Sequence, residues 1–269
     1  MSTQILEADL KDMTPQYFRQ IVRQEKWTEW TSMACRGYAQ ANLAIVPKEI
    51  AFDFLMFCVR NPRPCPVLDV TDPGDPHPKL TAPEADLRTD LPKYRVYKKG
   101  ELVDEPSNII QYWRDDLVAF LLGCSFSFDW VLRDAKVQYR LLGAFSTNLP
   151  TVPAGIFHGP TVVTCRLVKG DRDAIRAIQL SSRHLFAHGA PVHVGDPKAI
   201  GIQDLYKPDM SRGDFFTGEP QQPDEIALYW ACGITPQTVA MATKPSLMIA
   251  HSPGCMFVTD KLSAELAVL

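Results

Sequence analysis

The sequence lacks any apolar run long enough to cross a membrane. The longest runs, such as Leu117–Cys124 and Ile226–Cys232, are far shorter than the roughly 20 residues that a spanning helix needs. The segment from Met1 to Lys11 also lacks the basic stretch and following apolar stretch of an export signal. These absences predict a protein with no membrane span and no export signal, and therefore a cytoplasmic location.

The sequence also lacks an excess of positive charge. Its 269 residues include 28 lysines and arginines against 31 aspartates and glutamates, which gives a formal net charge of −3. A nucleic-acid-binding protein normally carries a basic face, so this balance argues against such a partner and favours a small-molecule substrate. The 46% of apolar residues suffice for a full core in one large domain or two modest ones.

Paired cysteines and nucleotide-binding motifs are absent as well. The seven cysteines form no CxxC pair, and most lie among apolar residues, as free thiols in a reducing compartment do. No GxGxxG, P-loop or HExxH pattern occurs. The group His184, His188, His193 and Asp196 matches no zinc-site spacing, and a glycine and a proline interrupt any common helix face. The sequence therefore predicts neither a cofactor nor a metal site.

Predicted strands alternate with predicted helices, which is typical of the α/β class. Helical spacing after Thr14, Pro47 and Thr235 predicts helices that begin at these positions. The segment 71–92 is rich in proline and aspartate and is predicted to be a long irregular loop. Apolar runs predict strands at 67–70, 161–168, 226–231 and 247–250.

Two strand-to-helix corners, at residues 123–127 and 230–237, have the features of an anion site. The first amides of a helix have no partner within the helix, and the helix dipole is positive at that end, so a carboxylate can bind there. The alternative is that each corner is a capped turn without a ligand. The candidate substrate-binding residues at the two corners are Ser125, Ser127, Gly233, Thr235 and Gln237.

The candidate catalytic groups are cysteine thiols and histidine imidazoles. Cys124 and Cys232 precede predicted helices, where the pKa of a thiol can be lowered, but neither has a histidine beside it in sequence. Packing is therefore the favoured role of both, although Cys232 is kept among the catalytic candidates. His251 follows a predicted buried strand, at the kind of strand end where α/β sheets bind ligands, and is the first candidate for proton transfer. His193 is the second candidate, and a hydrogen-bonded structural histidine is the alternative for His251.

Three further side chains are candidates for substrate contact. Arg166 and Arg183 could each clamp a carboxylate, because a guanidinium matches its geometry in bidentate fashion. The alternative for both arginines is an ion pair or a solvated surface position. Asn148 could orient an amide or carboxyl group, or it could serve only turn chemistry in its loop.

Several segments together resemble a known family. They are Gly37–Leu43, Phe54–Cys58 with Cys65-Pro66, Gly123–Phe128, Phe157–Pro160, His188–Pro197 and Trp230–Gln237. In this order, and over nearly the whole chain, they are similar to the putative hydro-lyase family of bacterial proteins, which is related to part of mitochondrial D-glutamate cyclase.

The resemblance implies both a fold and a reaction. The implied fold is a three-layer α/β/α domain formed by residues 1–135 and 196–269, with a smaller α+β domain at residues 136–195. The implied reaction is loss of water from D-glutamate to form the five-membered lactam 5-oxoproline, without a cofactor.

The sequence departs from the family pattern at several positions. Cys255 stands where a histidine is usual, Thr151 where a cysteine is usual, and Asp129 where a glutamate is usual. The segment Trp27–Arg36 also lacks the family's glycines. If the replaced histidine is catalytic in the family, its absence implies altered or absent activity here.

These observations lead to one reading of the site. His251 or His193 transfers protons, while Asp129 and Asn148 orient the reacting groups. If strands 226–231 and 247–250 lie in one parallel sheet, the Thr235–Gln237 amides and His251 meet at one edge and form a carboxylate pocket. The rival interpretations are a non-catalytic module that binds small carboxylates and a different lyase or hydrolase. The sequence leaves a homo-oligomer open.

Overall fold

The computed structural model describes residues 6–209 and 219–268. Within these ranges the α-helices are α1 (Pro15–Arg23), α2 (Lys48–Arg60), α3 (Phe126–Asp134), α4 (Gly170–Ser182), α5 (Thr235–Thr243) and α6 (Ser263–Leu266). The helices expected after Thr14, Pro47 and Thr235 are therefore present. The Thr14 hydroxyl accepts the N–H of Tyr17, and Pro15 occupies the first helical position. No helix of the described ranges is both long and apolar enough to cross a membrane.

The strands form two sheets. They are β1 (Tyr38–Pro47), β2 (Val67–Val70), β3 (Tyr94–Lys98), β4 (Glu101–Asp104), β5 (Leu117–Gly123), β6 (Tyr139–Pro150), β7 (Pro160–Lys169), β8 (His193–Val194), β9 (Glu225–Ala231), β10 (Met248–His251) and β11 (Phe257–Leu262). The large sheet has the order β2-β5-β1-β10-β3-β4, with β11 also paired to β1. The small sheet has the order β6-β7-β9-β8. The α/β class predicted from the sequence is confirmed.

All strand pairs that the structure describes are antiparallel. The expectation that β9 and β10 share one parallel sheet is wrong, because β9 pairs with β7 in the small sheet and β10 pairs with β1 in the large sheet. An apolar run shows that a strand is buried on both faces, and it does not show the direction of its neighbours. The small sheet thus takes a strand from outside residues 136–195, and the domain boundaries stay a prediction.

Side chains of the large sheet alternate between two cores, as the period of a strand requires. Ala44 and Val46 of β1 pack on one face with apolar residues of α2 and α5. Leu43 and Ile45 pack on the other face against apolar residues of the irregular segment 71–92. That segment, predicted to be a loop, therefore covers a face of the sheet without forming a helix or strand.

The small sheet also has a core on each face. On one face, Leu228 and Trp230 of β9 pack against residues of α3 and α4. On the other face, Ala227 and Tyr229 pack with β6 and β7 residues and with Ile200. Because α3 follows a large-sheet strand and packs on a small-sheet core, it joins the two sheets close to the corner after β5.

Candidate active site

A cavity of about 470 Å³ lies where the two sheets meet. This size is in the range of sites for small ligands. Polar or ionisable lining residues from the elements of the large sheet are Asn42, Arg95, Cys124, Ser125, His251 and Ser252. The small sheet and its corner contribute Thr164 and Cys232. Trp30, Phe126 and Met256 are among the apolar lining residues.

The corner between β5 and α3 presents Cys124 and Ser125 to the cavity. β5 ends at Gly123, where a Cβ atom would lie 1.5 Å from the carbonyl oxygen of Phe186, so a larger residue does not fit. The Cys124 N–H donates to Gln40 O of β1 at 3.1 Å, and Cys124 Sγ accepts the N–H of Phe126 at 3.5 Å. These contacts hold the start of α3 against the central strand of the large sheet.

The corner between β9 and α5 brings Cys232 to the same cavity. A Cβ atom on Gly233 would lie 2.0 Å from Asn42 Nδ2, so the glycine allows this corner to approach β1. The Asn42 amide donates to Gly123 O at 2.7 Å and thereby links the two corners. The sequence singled out both corners, and the structure brings them together.

The helix start at α5 has little free donor capacity for an anion. The Thr235 N–H donates to Cys232 O at 3.1 Å, and the Gln237 N–H donates to Ile234 O at 2.9 Å. The Thr235 hydroxyl donates to Cys232 O, and Gln237 Nε2 donates to the His251 carbonyl at 2.8 Å. Thr235 and Gln237 therefore hold the corner and strand β10, and neither lines the cavity.

His251 fills a gap in the ladder along β1. That strand pairs with β11 up to Ala41 and with β10 from Ala44, so Leu43 lies between the two partners. The Nδ1 atom of His251 is 3.2 Å from Leu43 N and 3.3 Å from Leu43 O. Its Nε2 atom is buried and has no hydrogen-bond partner among the described residues, while the residue lines the cavity.

The His251 ring is neutral at pH 7. Burial, with a smaller contribution from the nearby Arg95 charge, lowers the pKa of His251 to about 4. Because a buried nitrogen without a partner costs free energy, a ligand that bonds to Nε2 gains this contact at little desolvation cost to the ring. The Nε2 atom is thus a ready proton acceptor or donor for a cavity ligand.

A charged group lies on the large-sheet side of the cavity. Arg95 Nε donates to Glu105 Oε1 at 2.7 Å, and the Ser252 hydroxyl donates to the same oxygen at 3.3 Å. Burial opposes the charge of Arg95, but Glu105 outweighs it, so the pKa of Arg95 lies above its ordinary value. Arg95 and Ser252 both line the cavity, so this group can meet the charge of a bound acid.

A second charged group is buried behind the cavity wall. Arg166 of β7 is fully buried, and its Nη2 donates to Asp129 Oδ1 at 2.9 Å. The same guanidinium lies 5.2 Å from the Phe128 ring centroid and 5.1 Å from that of Trp230. Burial lowers the pKa of Arg166, but the Asp129 charge outweighs it, and the net pKa is raised. Arg166 and Asp129 therefore act as one buried ion pair.

The two cavity thiols are protonated at pH 7. Burial raises the pKa of Cys232 to about 11, and it raises the pKa of Cys124 further above its ordinary value. A helix N-terminus can lower the pKa of a thiol, but here burial of the thiolate raises the pKa by more. Both side chains therefore shape the cavity as uncharged groups.

Several candidates lie outside the cavity lining. His193 Nε2 contacts Asp196 O at 2.8 Å, and its ring packs on Tyr229. Ser127 is buried, and its hydroxyl accepts the Gln40 N–H at 2.9 Å, which fastens α3 to β1. Asn148 and Arg183 are exposed. These four side chains contact neighbouring protein groups or solvent, and none of them lines the cavity.

Three of the departures from the family pattern, at Cys255, Thr151 and Asp129, are outside the cavity lining, whereas the segment Trp27–Arg36 contributes Trp30 to it. Cys255 is buried between two lining residues, and its Sγ lies 3.7 Å from Glu29 O. The Thr151 hydroxyl donates to Gly159 O at 2.6 Å. Asp129 binds Arg166 as described above. In each case the residue present has a local partner.

Sequence reasoning missed Asn42, Arg95, Thr164 and Trp30 as lining residues. Asn42 is a polar residue within an apolar stretch, a signal that could have marked it. Arg95 lies in β3 and Thr164 in β7, and nothing in the sequence says which face of either strand meets a cavity. In the part of the chain that the structure describes, no three histidine, cysteine, aspartate or glutamate side chains cluster as a metal site requires.

Comparison with known proteins identifies the family. A family model described as D-glutamate cyclase matches residues 118–260, which include both corners, Arg166 and His251. The chain belongs to this D-glutamate cyclase family. Among its relatives, a protein named "Putative hydro-lyase" from Geobacillus kaustophilus is 49% identical over 265 residues, covering 96% of this chain and 98% of its own.

Two further relatives carry the same name. The protein from Bacillus subtilis is 49% identical over 263 residues and covers 96% of this chain and 100% of its own. The protein from a Thermoanaerobacter species is 50% identical over 265 residues and covers 96% of this chain and 97% of its own. A solved nitrogen repressor-like protein from Methanococcus jannaschii matches with a TM-score of 0.38 and 9% identity, over 93% of this chain and 99% of its own.

Proposed function

We propose that this chain is a hydro-lyase that cyclises D-glutamate, or a closely related small amino acid, with loss of water to 5-oxo-D-proline. Family membership supports the reaction class. The observation that carries the proposal is buried His251, whose Nε2 has no hydrogen-bond partner among the described residues, at a cavity that Arg95 lines and behind whose wall Arg166 is buried. A small acid with an amine fits this combination of charges.

The reaction defines what the site must do. The amine nitrogen attacks the distant carboxyl carbon, a C–N bond forms, and one C–O bond of that carboxyl breaks. Two protons leave the ammonium nitrogen, and both end on the departing oxygen as water. A carboxylate is a poor electrophile, so its negative charge must be offset by fixed donors before attack.

His251 moves the protons in this account. Its neutral Nε2 accepts a proton from the substrate nitrogen and returns it to the leaving oxygen, and this happens twice for each turnover. The negative carboxyl of a bound substrate raises the pKa of the imidazole, which makes the ring a better proton acceptor. In the tautomer that leaves Nε2 free to accept a proton, Nδ1–H donates to Leu43 O at 3.3 Å and keeps the ring in place during both transfers.

The remaining groups position and neutralise the substrate. Arg95 lies on the same side as His251 and offsets the charge of the reacting carboxyl. Asp129 holds Arg166, and the two neutral thiols shape the cavity wall. A folded substrate held in this space gains mainly from positioning, because the amine and carboxyl belong to one molecule.

Turnover of D-glutamate by the purified protein tests the proposal. Incubation with D-glutamate, followed by chromatography for 5-oxoproline, should show product that forms in proportion to protein concentration, whereas L-glutamate is the stereochemical control. A raised melting temperature with D-glutamate but no product would instead support a non-catalytic carboxylate-binding protein. Neither product nor stabilisation would contradict both functions.

A further inference from the structure

The hydroxyl groups of Ser125 and Thr164 share one buried donor. Arg166 Nη2 donates to Ser125 Oγ at 3.1 Å, and Arg166 Nη1 donates to Thr164 Oγ1 at 3.2 Å. The guanidinium is fully buried, and its Nε and Nη2 atoms both donate to Asp129 Oδ1. Its position is therefore set by the protein before any ligand arrives.

These contacts fix the direction in which the hydroxyls can donate. A hydroxyl oxygen that accepts from a guanidinium turns its own hydrogen elsewhere. Within residues 6–209 and 219–268, neither hydroxyl donates to a protein acceptor, and both residues line the cavity. Two O–H donors backed by a buried cation are thus available to a cavity ligand, and such a pair favours an anion.

We infer that Ser125 and Thr164 form the subsite for the carboxylate that the substrate retains through the reaction, with Arg166 as the positioning residue behind them. The inference rests on the proposed function, in which one carboxyl reacts and the other does not. His251 approaches from the large sheet, and Thr164 comes from β7 of the small sheet. The reacting carboxyl needs the proton-transfer side, so the retained carboxylate lies on the Thr164 side. The site therefore selects acids that carry a second carboxylate.

The test compares ligands that differ only in the retained carboxylate. Binding of 5-oxoproline and of 2-pyrrolidinone, the same lactam without its carboxylate, is measured by calorimetry on the whole protein. Wild type should prefer 5-oxoproline, and Thr164→Val and Ser125→Ala should each weaken its binding about 10- to 100-fold. Binding of 2-pyrrolidinone should not change.

Two matched variants distinguish the effect of the Thr164 hydroxyl on binding from an effect of altered packing. Thr164→Ser keeps the hydroxyl and should keep most of the preference for 5-oxoproline. Thr147→Val removes a buried threonine hydroxyl of β6 that bonds to Thr161 O, away from the cavity, and should leave the preference unchanged. Melting curves of all variants establish that each is folded before binding is compared.

Turnover gives a second readout. Because the retained carboxylate makes the same contact in the ground state and the transition state, Thr164→Val should raise the KM for D-glutamate by about the same 10- to 100-fold factor while kcat changes little. Equal affinity of wild type for the two lactams, or an unchanged preference in both Thr164→Val and Ser125→Ala, would overturn the subsite. If wild type fails to turn over D-glutamate but prefers 5-oxoproline in a Thr164-dependent way, the subsite stands and the proposed reaction fails.

Discussion

The two ring nitrogens of His251 have different tasks. Nδ1 meets the backbone of Leu43 in the gap between β10 and β11, which is a structural role. Nε2 is buried and has no protein partner among the described residues, and the residue lines the cavity, so this nitrogen is available for chemistry. The two interpretations that the sequence left open for this histidine, a structural hydrogen bond and proton transfer, are therefore compatible in one side chain.

Cys232 gives a prediction at the same scale. Cys232→Ser should keep kcat for D-glutamate within about tenfold of wild type, because a thiol with a pKa of about 11 is not a thiolate at pH 7. Intact-protein mass spectrometry after rapid quenching should show no acyl adduct on wild type. A thioester trapped on Cys232 would show that the chemistry is nucleophilic.

Single residues were predictable as candidates, but their partners were not. The sequence marked Arg166, Asp129 and Ser125 separately, as a clamp, an orienting group and an anion ligand. The structure joins them in one hydrogen-bonded group, with Arg166 behind the wall. Positions 37 or more apart in the chain meet here, and their meeting depends on the packing of α3 against β7, which no local pattern records.

At the scale of elements, the two strand-to-helix corners were recognisable from glycine, cysteine and proline. Strand β1, which joins them, was not predicted, because Gln40 and Asn42 interrupt its apolar pattern. Both polar side chains are buried and bonded, Gln40 to Thr31 and Asn42 to Gly123 O. Buried polar residues whose hydrogen bonds are made in the tertiary structure break the apolar pattern from which a strand is predicted.

The contact between the corners predicts the effect of a small substitution. Gly233→Ala should lower the free energy of unfolding by about 1–3 kcal/mol, because the added Cβ meets the Asn42 amide at 2.0 Å. Urea denaturation measures the change. Gly159→Ala is the control, since its Cβ would meet only Val239, at 3.3 Å, and neither glycine has a positive φ.

The double substitution Asn42→Ala with Gly233→Ala sharpens this test. Shortening the facing side chain removes the clash, so the effects should be less than additive. Full additivity would show that Gly233 is needed for a reason other than its approach to β1.

For the whole molecule, two buried neutral histidines predict acid sensitivity. Burial lowers the pKa of His188 and of His251 to about 4, below the value of 6.5 expected in the unfolded chain. Between these values the unfolded state binds more protons, so stability is full above pH 6.5 and is lost as pH falls toward 4. Each histidine should contribute a loss of about 2 kcal/mol between pH 7 and pH 5.

Urea unfolding at pH 7 and pH 5 measures this loss. In His188→Gln, the loss of unfolding free energy between pH 7 and pH 5 should be smaller than in wild type by the contribution of one histidine. An unchanged difference would mean that His188 is not buried as a neutral ring.

The central claim concerns the cavity at which the two sheets meet, with His251 as its proton-transfer group. The most direct measurement is kcat for D-glutamate in His251→Gln, which keeps some hydrogen bonding but cannot carry a proton comparably. General acid–base catalysis contributes about 10²–10⁴-fold, so kcat should fall by such a factor with a smaller change in binding. His193→Gln, outside the cavity lining, should turn over substrate like wild type. If His251→Gln, shown to be folded by its melting curve, kept the wild-type kcat, the proton-transfer role of His251 would be contradicted.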